Sequence, residues 1–168
     1  IKEGDEVIVP ASSFIATLNA VLYVGAKPIF VDIDDDSWGI DTKKLEFMIT
    51  NSTKAIITVH IYGYSSNIQD IKRISDKYNL KLVEDNAEAF GATSQSKKLG
   101  TIGDIGIFSF FGNKIITTGE GGAICTDNKE LYEKIKILKN HGMHPQRKYY
   151  HEVVGYNYRM TNIQAAIG

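Results

Sequence analysis

Three polar residues close apolar segments in the second half of the chain, where their side chains are placed to do chemistry. Asp85 closes the run KLVEDN, Ser109 lies in FSFF, and Lys114 follows five residues later in the stretch FSFFGNKIITTGEGG. A lysine directly after an apolar, strand-like run lies where a hydrated ammonium is least stable, unless its nitrogen has another use. The alternative is a surface lysine in a turn, because most lysines face solvent.

An amine, a carboxylate and a hydroxyl at one edge of a fold match the requirements of pyridoxal 5'-phosphate. The aldehyde of this cofactor condenses with a lysine, its ring nitrogen needs a carboxylate, and its phosphate needs hydroxyl and backbone donors. A nearby anion favours the protonated ring by the same electrostatics that shift any pKa. The residue types therefore favour a pyridoxal phosphate site built on Lys114, Asp85 and Ser109.

Two other ligand-binding motifs do not fit the glycine-rich loop. A phosphate-binding P-loop requires G-x-x-x-x-G-K-[ST], whereas Lys114 is followed by Ile115. The dinucleotide motif requires G-x-G-x-x-G, and Gly119, Gly121 and Gly122 do not have that spacing. Spacing alone leaves the cofactor as a hypothesis.

The segments around these residues predict an α/β fold. Strand-like apolar runs alternate with segments whose apolar residues have helical spacing, and the links between them are short. This alternation favours a three-layer α/β/α arrangement, in which a mostly parallel sheet carries helices on both faces and binds ligands at the carboxyl ends of its strands. The predicted strands are DEVIVP, KPIFVDID, KAIITVHIYG, KLVEDN, IGIFSFF and GGAICTDN, and the predicted helices are 14–24, 42–49, 68–78 and 129–139.

Two polar segments predict irregular structure. The run Asp34, Asp35, Asp36 is typical of a solvated turn rather than a metal site, because consecutive acids rarely point at a common centre. The segment 141–160, HGMHPQRKYYHEVVGYNYRM, is polar and aromatic without clear periodicity. We expect it to be a long surface or interface loop.

Composition excludes several classes of partner. The 168 residues carry a net charge of -1, with acids and bases mixed along the chain, so no footprint for nucleic acid or an anionic membrane is present. The one cysteine, Cys125, lies in the apolar run GGAICT and predicts a buried thiol in a reducing compartment. There is no zinc-binding spacing, no signal peptide and no run near the about 20 apolar residues of a membrane span. These features predict a cytoplasmic protein.

The two ends of the chain predict an internal fragment of a longer protein. The first residue is Ile1, and the final stretch MTNIQAAIG stops where a helix has just begun. Thr161 or Asn162 is the expected N-cap of that helix.

Four ordered motifs resemble the DegT/DnrJ/EryC1/StrS family of sugar-nucleotide aminotransferases, which are fold type I pyridoxal phosphate enzymes. The motifs are GDEVIVPASSFIATLNAV, VEDNAEAFGA, FSFFGNKIITTGEGG and VGYNYRMTN, and the resemblance covers nearly all of the chain. It implies that residues 1–168 are the central part of the cofactor-binding large domain, without its N-terminal segment and C-terminal small domain. Such a piece would leave apolar faces uncovered, so we expect it to aggregate when isolated.

The resemblance also implies a role for each site residue. Lys114 forms the covalent bond to the cofactor and then acts as the proton carrier, Asp85 pairs with the ring nitrogen, and Ser109 binds the phosphate. Phe14 in PASSF stacks on the cofactor ring. Asn157 in GYNYRM reaches across a homodimer interface to the phosphate in the partner's site.

Some of these assignments have a structural alternative. Phe14 could be ordinary helix core, and Glu88, which stands near the ring hydroxyl where many members carry Gln or His, could be a solvated acid at the start of a helix. A structural hydrogen-bonding role is favoured for His60 in VHIYG and for His141 in KNHG.

Within the family, FSFFGNKIITTGEGG and YYHEVVGYNYRMTN are most similar to the branch that aminates GDP-4-keto-6-deoxymannose for O-antigen and lipopolysaccharide biosynthesis, with glutamate as amino donor. Related branches act on UDP- or dTDP-linked ketosugars. A related dehydratase carries histidine at the position of Lys114, so the lysine favours transamination. A non-catalytic relative that binds the cofactor or the sugar nucleotide is the alternative from another class.

Overall fold

Short apolar runs between turns form the strands of one six-stranded sheet in the computed structural model, which describes residues 1–168. A separate two-stranded hairpin lies beside it. The strands of the sheet are β1 (Glu6–Pro10), β2 (Lys27–Val31), β3 (Thr53–Val59), β4 (Lys81–Asp85), β7 (Ile105–Ser109) and β8 (Gly122–Cys125), and the hairpin is β5 (Thr93–Ser94) and β6 (Lys97–Lys98).

The sheet has the order β2-β1-β3-β4-β7-β8. Neighbouring strands from β2 to β7 are parallel, whereas β8 runs antiparallel to β7. This reversal follows from the connection, because the loop that carries Lys114 returns the chain directly alongside β7. The carboxyl ends of the parallel strands therefore share one edge with this loop.

The helices are short, and most begin at a capping side chain. Asp41, Asn128 and Thr161 each accept a hydrogen bond from a backbone N–H of the first turn, and Thr161 forms a capping box with Gln164. They are α1 (Ile15–Tyr23), α2 (Thr42–Leu45), α3 (Ile68–Lys77), α4 (Lys129–Leu138) and α5 (Asn162–Ile167), with 3₁₀ turns at Glu46–Met48 and Ile61–Gly63.

Alternation along the strands divides the core into two clusters, one on each face of the sheet. Val7 and Val9 of β1 pack with Val21 of α1, while Ile8 packs in a larger cluster with Ile71 and the other buried isoleucines of α3. Successive side chains of a strand point to opposite faces, so α1 and α3 cover different sides. The predicted α/β/α layering and mostly parallel sheet are confirmed.

Several local predictions need adjustment. The helix expected at 42–49 is one α turn followed by a 3₁₀ turn, the strands end two to four residues earlier than expected in KPIFVDID, KAIITVHIYG and IGIFSFF, and the hairpin β5–β6 was not predicted. The segment 141–160 has no helix or strand and is held by isolated bridges, as expected of a loop. Asp34 organises its turn by accepting the backbone N–H of Ser37 at 2.9 Å.

Some apolar surface is open to solvent. Tyr23, Phe47 and Val154 are each more than four-fifths exposed. None of the helices has the length and apolar character needed to cross a bilayer.

Candidate active site

Asp85 and Ser109 lie on neighbouring strands, at the carboxyl edge of the sheet. Asp85 is the last residue of β4 and stands opposite Ile107 of β7, so Ser109 lies two residues further along β7 on the same face. Two residues of strand correspond to about 7 Å. The two side chains therefore project from the same face of the sheet, offset along the strand direction by about the length of a small heterocycle.

The Asp85 carboxylate is buried and held by two donors. The hydroxyl of Thr17 donates to Oδ2 at 2.7 Å, and the backbone N–H of Ala87 donates to Oδ1 at 3.1 Å. Thr17 is itself buried, on the face of α1 that packs against the sheet. Two fixed donors leave a carboxylate with lone pairs to accept a further hydrogen bond, as a ring N–H would require.

Lys114 lies in the loop between β7 and β8 and points toward the end of β4. Its Nζ is 3.6 Å from Oε1 of Glu88, which follows Asp85 by three residues, and the lysine side chain is only 18% exposed. The other oxygen of Glu88 accepts the backbone N–H of Tyr62 at 3.2 Å. Tyr62 has φ of 51°, an uncommon conformation for this residue type, which turns its N–H toward the carboxylate. The amine thus stands at the same edge as Asp85.

Backbone contacts fix the shape of the Lys114 loop. The carbonyl of Phe110 accepts both the N–H of Thr118, at 3.0 Å, and the hydroxyl of Thr117, at 3.0 Å. The N–H of Phe110 donates to the carbonyl of Gly121 at 2.9 Å, and the N–H of Lys114 donates to the carbonyl of Phe111 at 3.0 Å. The loop is therefore closed at its base.

The remaining predicted residues take different positions. Ser109 accepts the N–H of Phe111 at 3.3 Å, which leaves its hydroxyl proton free to donate to a phosphate oxygen. Phe14 is 78% exposed and directly precedes the first residue of α1, so it is not helix core. Glu88 lies in a turn rather than at a helix start. Asn157 is exposed, accepts a hydrogen bond from Arg159 Nε on its side-chain oxygen at 3.2 Å, and makes no hydrogen bond to the other predicted residues.

A second carboxylate, Glu84, lies beneath the site on the opposite face of β4. It is fully buried and contacts His60 Nε2 at 3.0 Å, so His60 has the hydrogen-bonding role predicted for it. Burial raises the pKa of Glu84, but hydrogen bonds from His60 and from the backbone N–H groups of Gly103, Gly100 and Ile102 outweigh burial and hold it below its ordinary value. Glu84 is therefore an ionised group inside the fold.

His141 and Cys125 lie outside this edge. The carbonyl of His141 accepts the ring of His151 at 2.8 Å, and its N–H donates to Tyr156. The Cys125 thiol, expected to be buried, is half-buried and donates to the carbonyl of Gly100 at 2.8 Å. Burial raises the pKa of this thiol.

Sequence reasoning did not identify Thr17 or the backbone of Tyr62 as parts of the site. Thr17 and Val21 are the buried residues of α1, spaced four apart, so a threonine on the apolar stripe of a helix was the available signal. No sequence signal marked Tyr62.

The residues present suit pyridoxal phosphate: a half-buried amine, a buried carboxylate with free lone pairs and a hydroxyl on the same edge.

Comparison with known proteins adds independent information. GDP-perosamine synthase from Escherichia coli O157:H7 is 52% identical over 168 residues, which are 100% of this chain and 46% of that protein. GDP-perosamine synthase from Caulobacter vibrioides is also 52% identical, over 100% of this chain and 45% of that protein. UDP-N-acetyl-3-dehydro-alpha-D-glucosamine 3-aminotransferase from Acidithiobacillus ferrooxidans is 46% identical, over 99% of this chain and 45% of that protein. The chain thus spans about half the length of the curated relatives it matches.

Solved structures of related enzymes have the same fold as this chain. The aminotransferase from Psychrobacter cryohalolentis superposes with a TM-score of 0.93 at 38% identity, over 99% of this chain and 45% of that one. NtdA from Bacillus subtilis, solved with bound cofactor PMP, has a TM-score of 0.91 at 43% identity, over 99% and 38%. A GDP-4-keto-6-deoxymannose-3-dehydratase with bound GDP-perosamine has a TM-score of 0.93 at 35% identity, over 99% and 48%. The predicted relation to pyridoxal phosphate enzymes of fold type I is confirmed.

The profile of one family matches the whole chain, from residue 1 to residue 168. Pyridoxal phosphate is the cofactor of that family. The chain belongs to the DegT/DnrJ/EryC1/StrS aminotransferase family.

Proposed function

We propose that the intact protein is a pyridoxal phosphate-dependent aminotransferase that converts GDP-4-keto-6-deoxymannose to the 4-amino sugar, with glutamate as amino donor. The observation that carries this proposal is the placement of Lys114 and Asp85. The amine lies 3.6 Å from Glu88, three residues beyond a buried aspartate whose two fixed donors leave lone pairs free. The GDP-linked substrate is supported by the 52% identity to GDP-perosamine synthases.

Each residue has a role in binding or proton transfer. Pyridoxal phosphate, when bound, supplies an aldehyde that condenses with amines and a protonated ring that accepts electrons. Asp85 would hold the ring nitrogen, Ser109 the phosphate, and Phe14 one face of the ring. Lys114 would bind the aldehyde and, once displaced by the donor amine, take the α-proton of glutamate as a general base.

Glu88 would orient the free amine between these two tasks. Its carboxylate is fixed by the Tyr62 N–H and faces Lys114 Nζ, so it can hold the displaced lysine near the reacting carbon. A place beside the ring hydroxyl, as the family resemblance implies, is compatible with the same position.

Asn157 would act in a homodimer with shared active sites. Its side chain is exposed and makes no hydrogen bond to the other predicted residues, which suits a residue that serves the partner's cofactor phosphate. The expectation that residues 1–168 form the central part of the large domain belongs to the same proposal.

The test is glutamate-dependent amination, measured in parallel on GDP-, UDP- and dTDP-linked 4-ketosugars with the intact protein. We expect a 4-amino product with the GDP-linked substrate and none from Lys114→Ala. Product with the UDP-linked sugar alone would favour the second candidate, an aminotransferase of UDP-linked ketosugars. The relative from Acidithiobacillus ferrooxidans supports this candidate by its UDP-linked substrate, although the keto group of that named substrate is at carbon 3. Bound cofactor without any product would indicate a non-catalytic binding protein.

A further inference from the structure

The fully buried carboxylate of Glu84 accepts four hydrogen bonds, two on each oxygen. Oε1 accepts the backbone N–H groups of Ile102 at 2.7 Å and Gly103 at 2.6 Å. Oε2 accepts the N–H of Gly100 at 2.8 Å and contacts His60 Nε2 at 3.0 Å. Only a carboxylate offers acceptors on both terminal atoms, because the amide of glutamine has one acceptor and one donor.

His60 completes this arrangement as a donor. Its Nδ1 is buried without a hydrogen-bond partner, and Glu84 is ionised, so Nε2 must carry the proton that is shared with Oε2. The backbone N–H of His60 donates to the carbonyl of Asp85 at 3.0 Å. His60 thus contacts both consecutive acids at the end of β4.

The three backbone donors to Glu84 lie in the segment 99–104, here called the 99–104 loop, which leads into β7. Gly100 has φ of 89°, and a Cβ there would lie 2.5 Å from Phe108 Cζ. A Cβ at Gly103 would lie 2.7 Å from the carbonyl oxygen of Leu82. The glycines therefore permit the backbone to approach β4 closely enough to surround the carboxylate.

The 99–104 loop also holds the hairpin that carries Lys114. The Cys125 thiol of β8 donates to the Gly100 carbonyl at 2.8 Å, and the Thr126 hydroxyl donates to the Asp104 carbonyl at 2.7 Å. Glu84 therefore connects two structures through one loop: the end of β4, with Asp85, and the β7–β8 hairpin, with Lys114.

We propose that Glu84, supported by His60, is a positioning residue that fixes the separation between Asp85 and the hairpin bearing Lys114. It touches neither substrate nor cofactor, since it lies on the opposite face of β4 from Asp85. The functional consequence rests on the proposed aminotransferase activity. The positional effect on Asp85 does not.

Hydrogen exchange in the intact protein separates positioning from simple stabilisation. Ala87 donates its N–H to Asp85, so the exchange rate of this amide reports the position of the carboxylate. In Glu84→Gln we expect exchange at Gly100, Ile102 and Gly103 to rise at least about tenfold, the equivalent of one charged hydrogen bond. Exchange at Ala87 should rise as well, and the cofactor dissociation constant should increase about tenfold.

Two further comparisons control this result. Glu6→Gln changes a buried carboxylate outside that loop, at the start of β1, where it accepts from the Thr50 hydroxyl at 2.6 Å, and should lower stability without changing Ala87 exchange or cofactor affinity. His60→Gln retains an N–H donor for Glu84, whereas His60→Leu does not. The glutamine variant should bind cofactor more tightly than the leucine variant, and this pair decides the question if Glu84→Gln does not fold.

A folded Glu84→Gln protein with faster exchange only in the 99–104 loop, and with unchanged Ala87 exchange and cofactor affinity, would overturn the proposal. Equal cofactor affinity in both His60 variants and the wild type would do the same. Failure of the proposed function is a separate outcome. If the wild-type protein bound no cofactor, the difference in amide exchange between the wild type and Glu84→Gln would still test whether Glu84 positions Asp85.

Discussion

Replacing Thr17 with valine tests whether the hydrogen bond that its hydroxyl donates to the buried Asp85 carboxylate stabilises the fold. The hydroxyl of Thr17 donates to Asp85 Oδ2 at 2.7 Å in a buried setting. A hydrogen bond to a charged group contributes about 1.5 to 3 kcal/mol. Valine has the same shape and no donor, so we expect Thr17→Val to lower the free energy of unfolding by about that amount.

The matched control is Thr17→Ser, which keeps the hydroxyl and loses one methyl group. Burial of one methyl group contributes about 0.8 kcal/mol, so the serine variant should lose about 1 kcal/mol. With the hydrogen bond, we expect Thr17→Ser to be more stable than Thr17→Val. If apolar burial alone mattered, Thr17→Val would be the more stable variant, since valine is more apolar than threonine and serine leaves a small cavity. The order of the two variants therefore distinguishes the two explanations.

The assay is urea unfolding of the intact, cofactor-free protein at fixed concentration, with midpoints and slopes compared between variants. A Thr17→Val protein that is as stable as the wild type, or more stable than Thr17→Ser, would refute the reasoning. In the cofactor-bound protein, the same substitution should weaken cofactor binding by about tenfold, because 1.4 kcal/mol corresponds to a factor of ten.

Four other outcomes follow from the structure. Asp85→Asn keeps the shape but not the charge, and should retain some cofactor while losing most of the amination rate, measured at saturating substrate. Gly100→Ala places a Cβ 2.5 Å from Phe108 Cζ at φ of 89°, and should destabilise the protein by about 2 to 4 kcal/mol in urea unfolding. The pKa of Glu84 lies below its ordinary value of 4.5, so its ionised form stabilises the fold above that pH. This contribution is lost as pH falls through the lower pKa of the folded state. The unfolding free energies of wild type and Glu84→Gln should therefore converge in acid, and a difference that stays constant with pH would contradict this assignment. Burial raises the pKa of Cys125 above its ordinary value of 9.0, so iodoacetamide should alkylate it more slowly in the folded protein than in urea at about pH 8, followed by mass spectrometry.

The larger elements were predictable because their sequence patterns are strong. The run EVIVP of β1 is buried at every position, and the amphipathic pattern of α3 places Ile68, Ile71 and Ile74 on one face. Strand and helix alternate with short links, and the parallel order of the sheet follows from that alternation. Asp85 and Ser109 are the last residues of β4 and β7, so their place at one edge follows from where each strand ends, and Lys114 lies in the loop after β7.

The hairpin β5–β6 was not predictable from its residues. Its strands have two residues each, too short to show a period, and Gln95 and Ser96 form the turn with φ of 47° and 66°. Asn-Gly or Asp-Gly are the usual signals for a turn with two positive φ values, and Gln-Ser resembles neither. Tertiary context therefore stabilises a turn that the local sequence does not favour.

The partners of the site residues depend on packing rather than on pattern. Thr17 reaches Asp85 across 68 residues of sequence, through the way α1 lies on the sheet. Glu84 did leave a trace in the sequence, because the two-residue period of β4 places it on the same buried face as Leu82. A charged residue on a buried face requires several donors, but the identity of those donors depends on the three-dimensional path of the 99–104 loop.

The most direct measurement is to trap the lysine that binds the cofactor. Borohydride treatment of the cofactor-loaded intact protein makes the bond between lysine and cofactor permanent, and peptide mass mapping then locates the modified residue. We expect the added mass on the peptide that contains Lys114 and on no other lysine, and its loss in Lys114→Ala. Modification of a different lysine, or none in a protein that binds pyridoxal phosphate, would contradict the placement of the reactive amine beside Asp85.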